Sequence, residues 1–328
     1  MDALQMNDKI FVLGSIAFDY LMDFNDQFTK HAITRDNMNM NMSLVVDSYR
    51  YRFGGTAGNI CYNLGLLKKP SIMVSSVGND FFKTRYPRIL EENLVDIRVN
   101  IHEEDFTARC FVVSDINKNQ IITFYAGALK NAYKINLFRK ISQFDDIKIA
   151  INAPNPVNAM VSYQYQLLKL GIPTIFDPGQ QIGQFTRDTL RKLIEKINFI
   201  IVNENEFKLL QRRSNYSKQD LCSKIPKIIV TLGGDGSILY DNGQKSEIPV
   251  AKPKKIIDPT GAGDGYRSGI LSGIIDNVDL YECCQIGAVV GSFIVETSGG
   301  QEHIFTENIF KDRYEKNFGN FPKRYRIF

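Results

Sequence analysis

Tryptophan is absent from this chain of 328 residues, and histidine is confined to three scattered positions, His31, His102 and His303. Three distant imidazoles do not make a His-based metal site. Cysteine is scarce as well: Cys61, Cys110, Cys222, Cys283 and Cys284 are an odd count without metal-ligand spacing. Cys283 and Cys284 fall in an apolar helical pattern, which predicts small buried residues in a reducing compartment. A dominant charge is missing too. Forty Lys and Arg oppose 36 Asp and Glu for a net charge of +4, with no basic tail or stripe, so nucleic acid is not indicated as a partner. No apolar run is long enough to span a bilayer, and the N-terminus carries no signal-peptide core. The expectation is a soluble, cytoplasmic protein without a membrane partner.

Hydrophobic residues make up 44% of the chain, enough for a large core. Ile10 to Leu13 reads as a first strand. Residues 19–52 are irregular and include the run Asn37-Met38-Asn39-Met40-Asn41-Met42, which fits either a ligand cover or an adaptable surface segment. Ser43 to Tyr51 alternates like an edge strand. Gly54-Gly55-Thr56-Ala57-Gly58-Asn59 opens a helix whose Ala57, Ile60, Cys61, Leu64 and Leu67 share one face, and Ile72 to Val77 returns as a strand. Cys110 to Val113 and Gln120 to Phe124 suit a hairpin in a small projecting sheet. Beyond residue 126 apolar runs at Ile147 to Ile151, Pro173 to Phe176, Phe199 to Val202 and Lys227 to Leu232 alternate with helical stretches such as Ala159 to Leu170 and Asp188 to Ile197. That rhythm predicts a mostly parallel sheet covered by helices on both faces. Ligands of such sheets bind beyond the carboxyl ends of the strands. Asn152, Asp177, Asn203, Thr231 and the turn from Asp258 to Asp264 are therefore expected on one rim.

Three constellations at that rim carry chemistry, each beside a plainer reading. Asp258-Pro259-Thr260-Gly261-Ala262-Gly263-Asp264-Gly265 precedes a helical pattern from Tyr266 to Ile275. Backbone N–H groups of Gly261, Ala262 and Gly263 could face an anion, with Asp264 as a general base. The plainer reading is a turn with Asp264 as a helix cap. Arg267 could reach substrate or phosphate, or serve on the surface or in packing. Asn203 and Glu206 have the spacing of a capping box, which spacing alone favours, and a compatible second role is to hold Mg²⁺ through water. Thr231-Leu232-Gly233-Gly234-Asp235-Gly236 would let a nucleotide approach the backbone, or make a tight connection. It lacks the Lys-Ser/Thr of a Walker A loop, and Gly54 to Gly58 lacks the glycine spacing of a dinucleotide fingerprint.

Together these motifs resemble the ribokinase-like, or PfkB, family of carbohydrate and nucleoside kinases, from about Phe11 to Phe305. Asp258-Pro-Thr-Gly-Ala-Gly-Asp264 resembles the family's C-terminal signature, and Gly54-Gly55 with Asn59 its substrate-side motif. Asn203-x-x-Glu206 resembles its magnesium and phosphate motif, and Thr231-x-Gly233-x-x-Gly236 its nucleotide-side motif. The resemblance implies an α/β, Rossmann-like three-layer fold with a small β-sheet lid. Residues 1–15, 53–95 and 126–328 would form the large domain, with 16–52 and 96–125 the lid. It further implies Asp264 as catalytic base with Gly261, Ala262 and Gly263 as anion hole. Asp19, Gly54, Gly55 and Asn59 would bind substrate. Asn203, Glu206, Thr231, Gly233, Gly236, Gly287 and Gly291 would serve ATP and water-bound Mg²⁺. Asn41-Met42-Ser43-Leu44, Thr107-Ala108-Arg109-Cys110 and Phe176-Asp177-Pro178-Gly179-Gln180-Gln181 resemble the adenosine kinase and prokaryotic nucleoside kinase branch. Phe18, Met38, Met40 and Phe124 are candidate purine contacts or lid packing. The implied reaction moves the γ-phosphoryl of ATP to the 5′-hydroxyl of a ribonucleoside, adenosine first. Its rivals are a sugar kinase for ribose or fructose and a silent nucleotide-binding regulator. The lid edge is compatible with a monomer or a homodimer.

Overall fold

A computed structural model describes residues 8–31, 33–35, 39–41, 43–143 and 145–327. Along the strand Asp8–Leu13, Ile10 and Val12 enter one hydrophobic cluster while Phe11 and Leu13 enter another. Side chains alternate between the two faces of a strand, so a continuous apolar run is what a sheet covered on both sides requires. That strand lies inside a nine-stranded sheet. Ser71–Val74 and then Val95–Ile97 pair parallel on one side of it. Asp146–Asn152, Thr174–Phe176, Phe199–Asn203 and Lys227–Thr231 follow, also parallel, on the other. An antiparallel pair, Ser237–Asp241 and Gln244–Ile248, finishes that edge.

Helices Thr56–Leu66, Ala262–Ile275 and Leu280–Ile294 supply one covering layer, and Val157–Leu170, Arg187–Ile194 and Glu204–Ser214 the other. The face read from the sequence for the first of these is buried throughout: Ala57, Ile60, Cys61, Leu64 and Leu67 have no exposed surface. Cys283 and Cys284 are likewise buried and unpaired. No helix of the described residues is long and apolar enough to cross a membrane.

A separate four-stranded sheet is ordered Gln120–Tyr125, Ala108–Ser114, Ala17–Asp23, Ser48–Gly54. It differs from the expected lid in its membership. Val95–Ile97 joins the central sheet, and Asn100–His102 pairs with Ser76–Gly78 apart from both. Three-residue strands, one carrying Asp96 mid-strand, give too short a pattern to be assigned from alternation. The run Ile72 to Val77 splits for the same reason: Ser71–Val74 stays central while Ser76–Gly78 leaves it. Asn37, Met38 and Met42 lie outside the described residues, as does the side chain of Met40.

Candidate active site

The helix foreseen from Tyr266 begins four residues earlier, at Ala262. Gly261 is its cap, with φ of 83°, and no side chain closes the first turn. Any helix start leaves N–H groups without an intrahelical acceptor. Here a glycine is required on two counts. The backbone is left-handed, and a Cβ at Gly261 would come within 2.7 Å of the Gly300 Cα. Asp258 braces the turn: its carboxylate accepts from the Thr260 N–H at 2.9 Å and from the Gly299 N–H at 3.1 Å.

Asp264 is the third residue of the helix and does not cap it. Its Oδ2 accepts from Asn59 Nδ2 at 2.8 Å, which ties the two glycine-rich helix starts together. A chain of hydrogen bonds continues outward. Gln301 Nε2 donates to Asn59 Oδ1 at 2.9 Å and to the Tyr86 hydroxyl at 2.7 Å, and Tyr86 donates to the Gly54 carbonyl at 2.8 Å. Burial lifts the Asp264 carboxyl to about 6, against the pull of Arg267 and Asn59. Asp19 stands nearby on the small sheet, also raised to about 6 by burial, with Arg52 opposing. A side chain at Gly54 would collide with the Asp19 carboxylate, so this glycine makes room for the acid. Two acids raised toward neutrality and close enough to feel each other's charge are suited to proton acceptance and hydroxyl binding.

Arg267 is neither a surface residue nor free to meet a ligand. It is buried and grips Asp177 with two nitrogens, Nη2 to Oδ1 at 2.7 Å, while Nη1 donates to the Gly263 carbonyl at 2.9 Å. The pair therefore orients the first turn of the Asp264 helix. The sequence placed Asp177 at this rim; its partner could not be identified because the two lie 90 positions apart.

On the far side of that turn, a cavity of about 340 Å³ is lined by Thr231, Gly233, Gly236, Gly263, Tyr266 and Gly291, among others. Gly287 is not part of its wall; it packs against Tyr266 and Gly269 where two helices cross closely. Asn203 and Glu206 do form the capping box, with both bonds at 2.8 Å. Burial holds Glu206 above its ordinary value; Asp177 adds to this, and Arg267 opposes it. These charges place Glu206 beside the Asp177–Arg267 pair. Only its Oε2 is used by the cap. No three acidic, cysteine or histidine side chains cluster as a metal cage among the described residues. A carboxylate whose second oxygen is not used by the cap could hold Mg²⁺ largely through water.

A larger cavity, about 1020 Å³, opens on the other side, between Ser15, Phe124, Asn155, Asn158, Gln180 and Gln181. Sequence reasoning missed Asn155 and Asn158, which follow a strand without any motif. Phe124 faces this space and is half-exposed, whereas Phe18 is buried against Tyr51, Phe53 and Tyr86 and serves packing.

A family model described as pfkB family carbohydrate kinase matches residues 8–307. A nucleoside kinase of Methanocaldococcus jannaschii is 33% identical over 313 residues, which cover 94% of this chain and 98% of the relative. The solved structure of Burkholderia thailandensis nucleoside kinase in complex with inosine matches with a TM-score of 0.83 at 31% identity, covering 96% of this chain and 99% of that one. The ligand-free form of the same protein gives 0.75 at 29% identity, over 93% and 100% of the respective chains. The inosine complex is the nearer of those two.

Proposed function

Because the chain belongs to the pfkB family of carbohydrate kinases, an ATP-dependent phosphotransferase acting on a nucleoside or sugar hydroxyl, we propose that its acceptor is the 5′-hydroxyl of a ribonucleoside, with adenosine the first candidate. The observation that carries this reading is the Asn59–Asp264 hydrogen bond. It joins the helix that follows Gly54–Gly55 to the helix start bordering the 340 Å³ cavity, which supports a substrate role for the Gly54–Gly55 turn. ATP would lie along Thr231, Gly233, Gly236 and Gly291, its phosphates toward Gly261, Ala262 and Gly263.

Asp19 would take the ribose hydroxyls, with Gly54, Gly55 and Asn59 shaping the approach. Asp264 would receive the 5′-hydroxyl proton as the oxygen bonds to the γ-phosphorus. The bond from that phosphorus to the β–γ bridging oxygen breaks, and ADP leaves with the electron pair. Mg²⁺, when bound near Asn203 and Glu206, supplies positive charge to the phosphate oxygens. The larger cavity is lined by Asn155, Asn158, Gln180 and Gln181 together with Phe124, Leu129, Val157 and Val161, and by no charged side chain, which suits a neutral base that both packs and exchanges hydrogen bonds. A coupled ADP-release assay over adenosine, inosine, guanosine, cytidine, ribose and fructose tests the reading. Turnover with nucleosides is expected; strong turnover with free sugars and none with nucleosides would reject it.

A further inference from the structure

Arg52 stands on the small sheet directly across from Asp19 in the antiparallel pairing. Its Nη1 is buried and has no hydrogen-bond partner. The Arg52 side chain packs against the loop at Gly299, where an added Cβ would come within 2.5 Å of Nη1. Gly300, the next residue, packs on the Asn59 side chain and on Gly261. Arg52 thus borders the same turn as Asp264, approached from the small sheet. The contrast with Arg267 is informative. Arg267 spends its donors on Asp177 and the Gly263 carbonyl, while Arg52 makes no hydrogen bond or close ion pair among the described residues and acts on Asp19 only through its charge. A buried donor without a partner is costly, and an arginine fork is shaped for phosphate oxygens.

Resting on the kinase reading above, we infer that Arg52 is a further catalytic residue, carried in by the small sheet to hold the γ-phosphoryl oxygens as the group passes from ATP to the acceptor. Charge on those oxygens is redistributed during transfer, and a preorganised cation away from bulk water stabilises it. Placing this cation on the small sheet also couples transfer to closure over the acceptor.

The test compares Arg52→Met and Arg52→Lys with the unaltered protein, using ATP, Mg²⁺ and adenosine, after thermal melting has confirmed folding. Arg52→Met is expected to lower kcat about 100-fold. KM for adenosine and the affinity for ADP should stay within about threefold, and Arg52→Lys should recover part of the loss. Affinity for ADP with aluminium fluoride should fall in parallel with kcat. An unchanged kcat in Arg52→Met overturns the inference, and so does a loss confined to KM for adenosine, which would make Arg52 an acceptor-binding residue. If the unaltered protein phosphorylates none of the acceptors, the kinase reading itself fails. The aluminium fluoride measurement still judges Arg52 in that case, since equal affinity in both proteins removes its assigned role.

Discussion

The two cavities are built in opposite ways. The smaller is walled largely by glycines and short side chains from the helix start at Gly261, the connection at Gly233 to Gly236, and the helix carrying Gly291. The larger is walled by side chains, Phe124 from the small sheet and Asn155, Asn158, Gln180 and Gln181 from the rim of the central sheet. Backbone walls recognise a phosphate chain, which is the same in every reaction cycle. Side-chain walls recognise whatever is particular to one acceptor. On this reading chemistry resides on the first side and selectivity on the second, and substitutions should separate them.

The largest effect is expected at Asp264, one residue beyond the Gly263 wall of the smaller cavity. Asp264→Asn should lower kcat by about 10³-fold while ATP and adenosine still bind, measured by single-turnover kinetics beside calorimetry. The same variant should melt higher by roughly a few degrees, because folding raises this carboxyl and its ionised form is penalised at neutral pH. The pH dependence follows from the same sign. The rate kcat/KM should fall as pH drops through about 6, where Asp264 and Asp19 take up protons. Stability should move the other way, rising as those carboxyls protonate and the penalty is relieved. A pH–rate profile flat from 5 to 8 would break the link between Asp264 and proton transfer, so the profile is best taken over about pH 5–8.

Gly261→Ala comes next. It forces a side chain into a left-handed position and against Gly300, so kcat/KM for ATP should fall about 100-fold, with adenosine binding retained. On the other side, Asn155→Ala should alter the ratio of adenosine to inosine turnover about tenfold and leave KM for ATP unchanged. Asn155 is buried with an unpartnered Oδ1, the kind of acceptor a nucleobase N–H would satisfy. A change in ATP affinity there would blur the division between the cavities.

The same contrast governs what was legible in the sequence. The backbone-walled side is written as local motifs, since a turn that needs Gly261 or a cap such as Asn203–Glu206 is specified within a few residues. The central strands were legible for the same reason, apolar runs being local. The side-chain-walled cavity assembles Ser15, Phe124, Asn155 and Gln180 from distant segments, and nothing near each residue announces the others. Arg267 shows the limit most clearly. Its position one turn after Asp264 was visible, but its burial and its pairing with Asp177 depend on packing across the sheet rim. The strand Val95–Ile97 was lost to shortness, and the start of the Asp264 helix to glycines that read as turn.

The most direct measurement is ADP release with adenosine set against 5′-deoxyadenosine and ribose under identical conditions. The account predicts turnover with adenosine and none with 5′-deoxyadenosine, which keeps the base and the ribose 2′- and 3′-hydroxyls but lacks the attacking oxygen. Equal turnover with both nucleosides, or turnover with ribose alone, would contradict it.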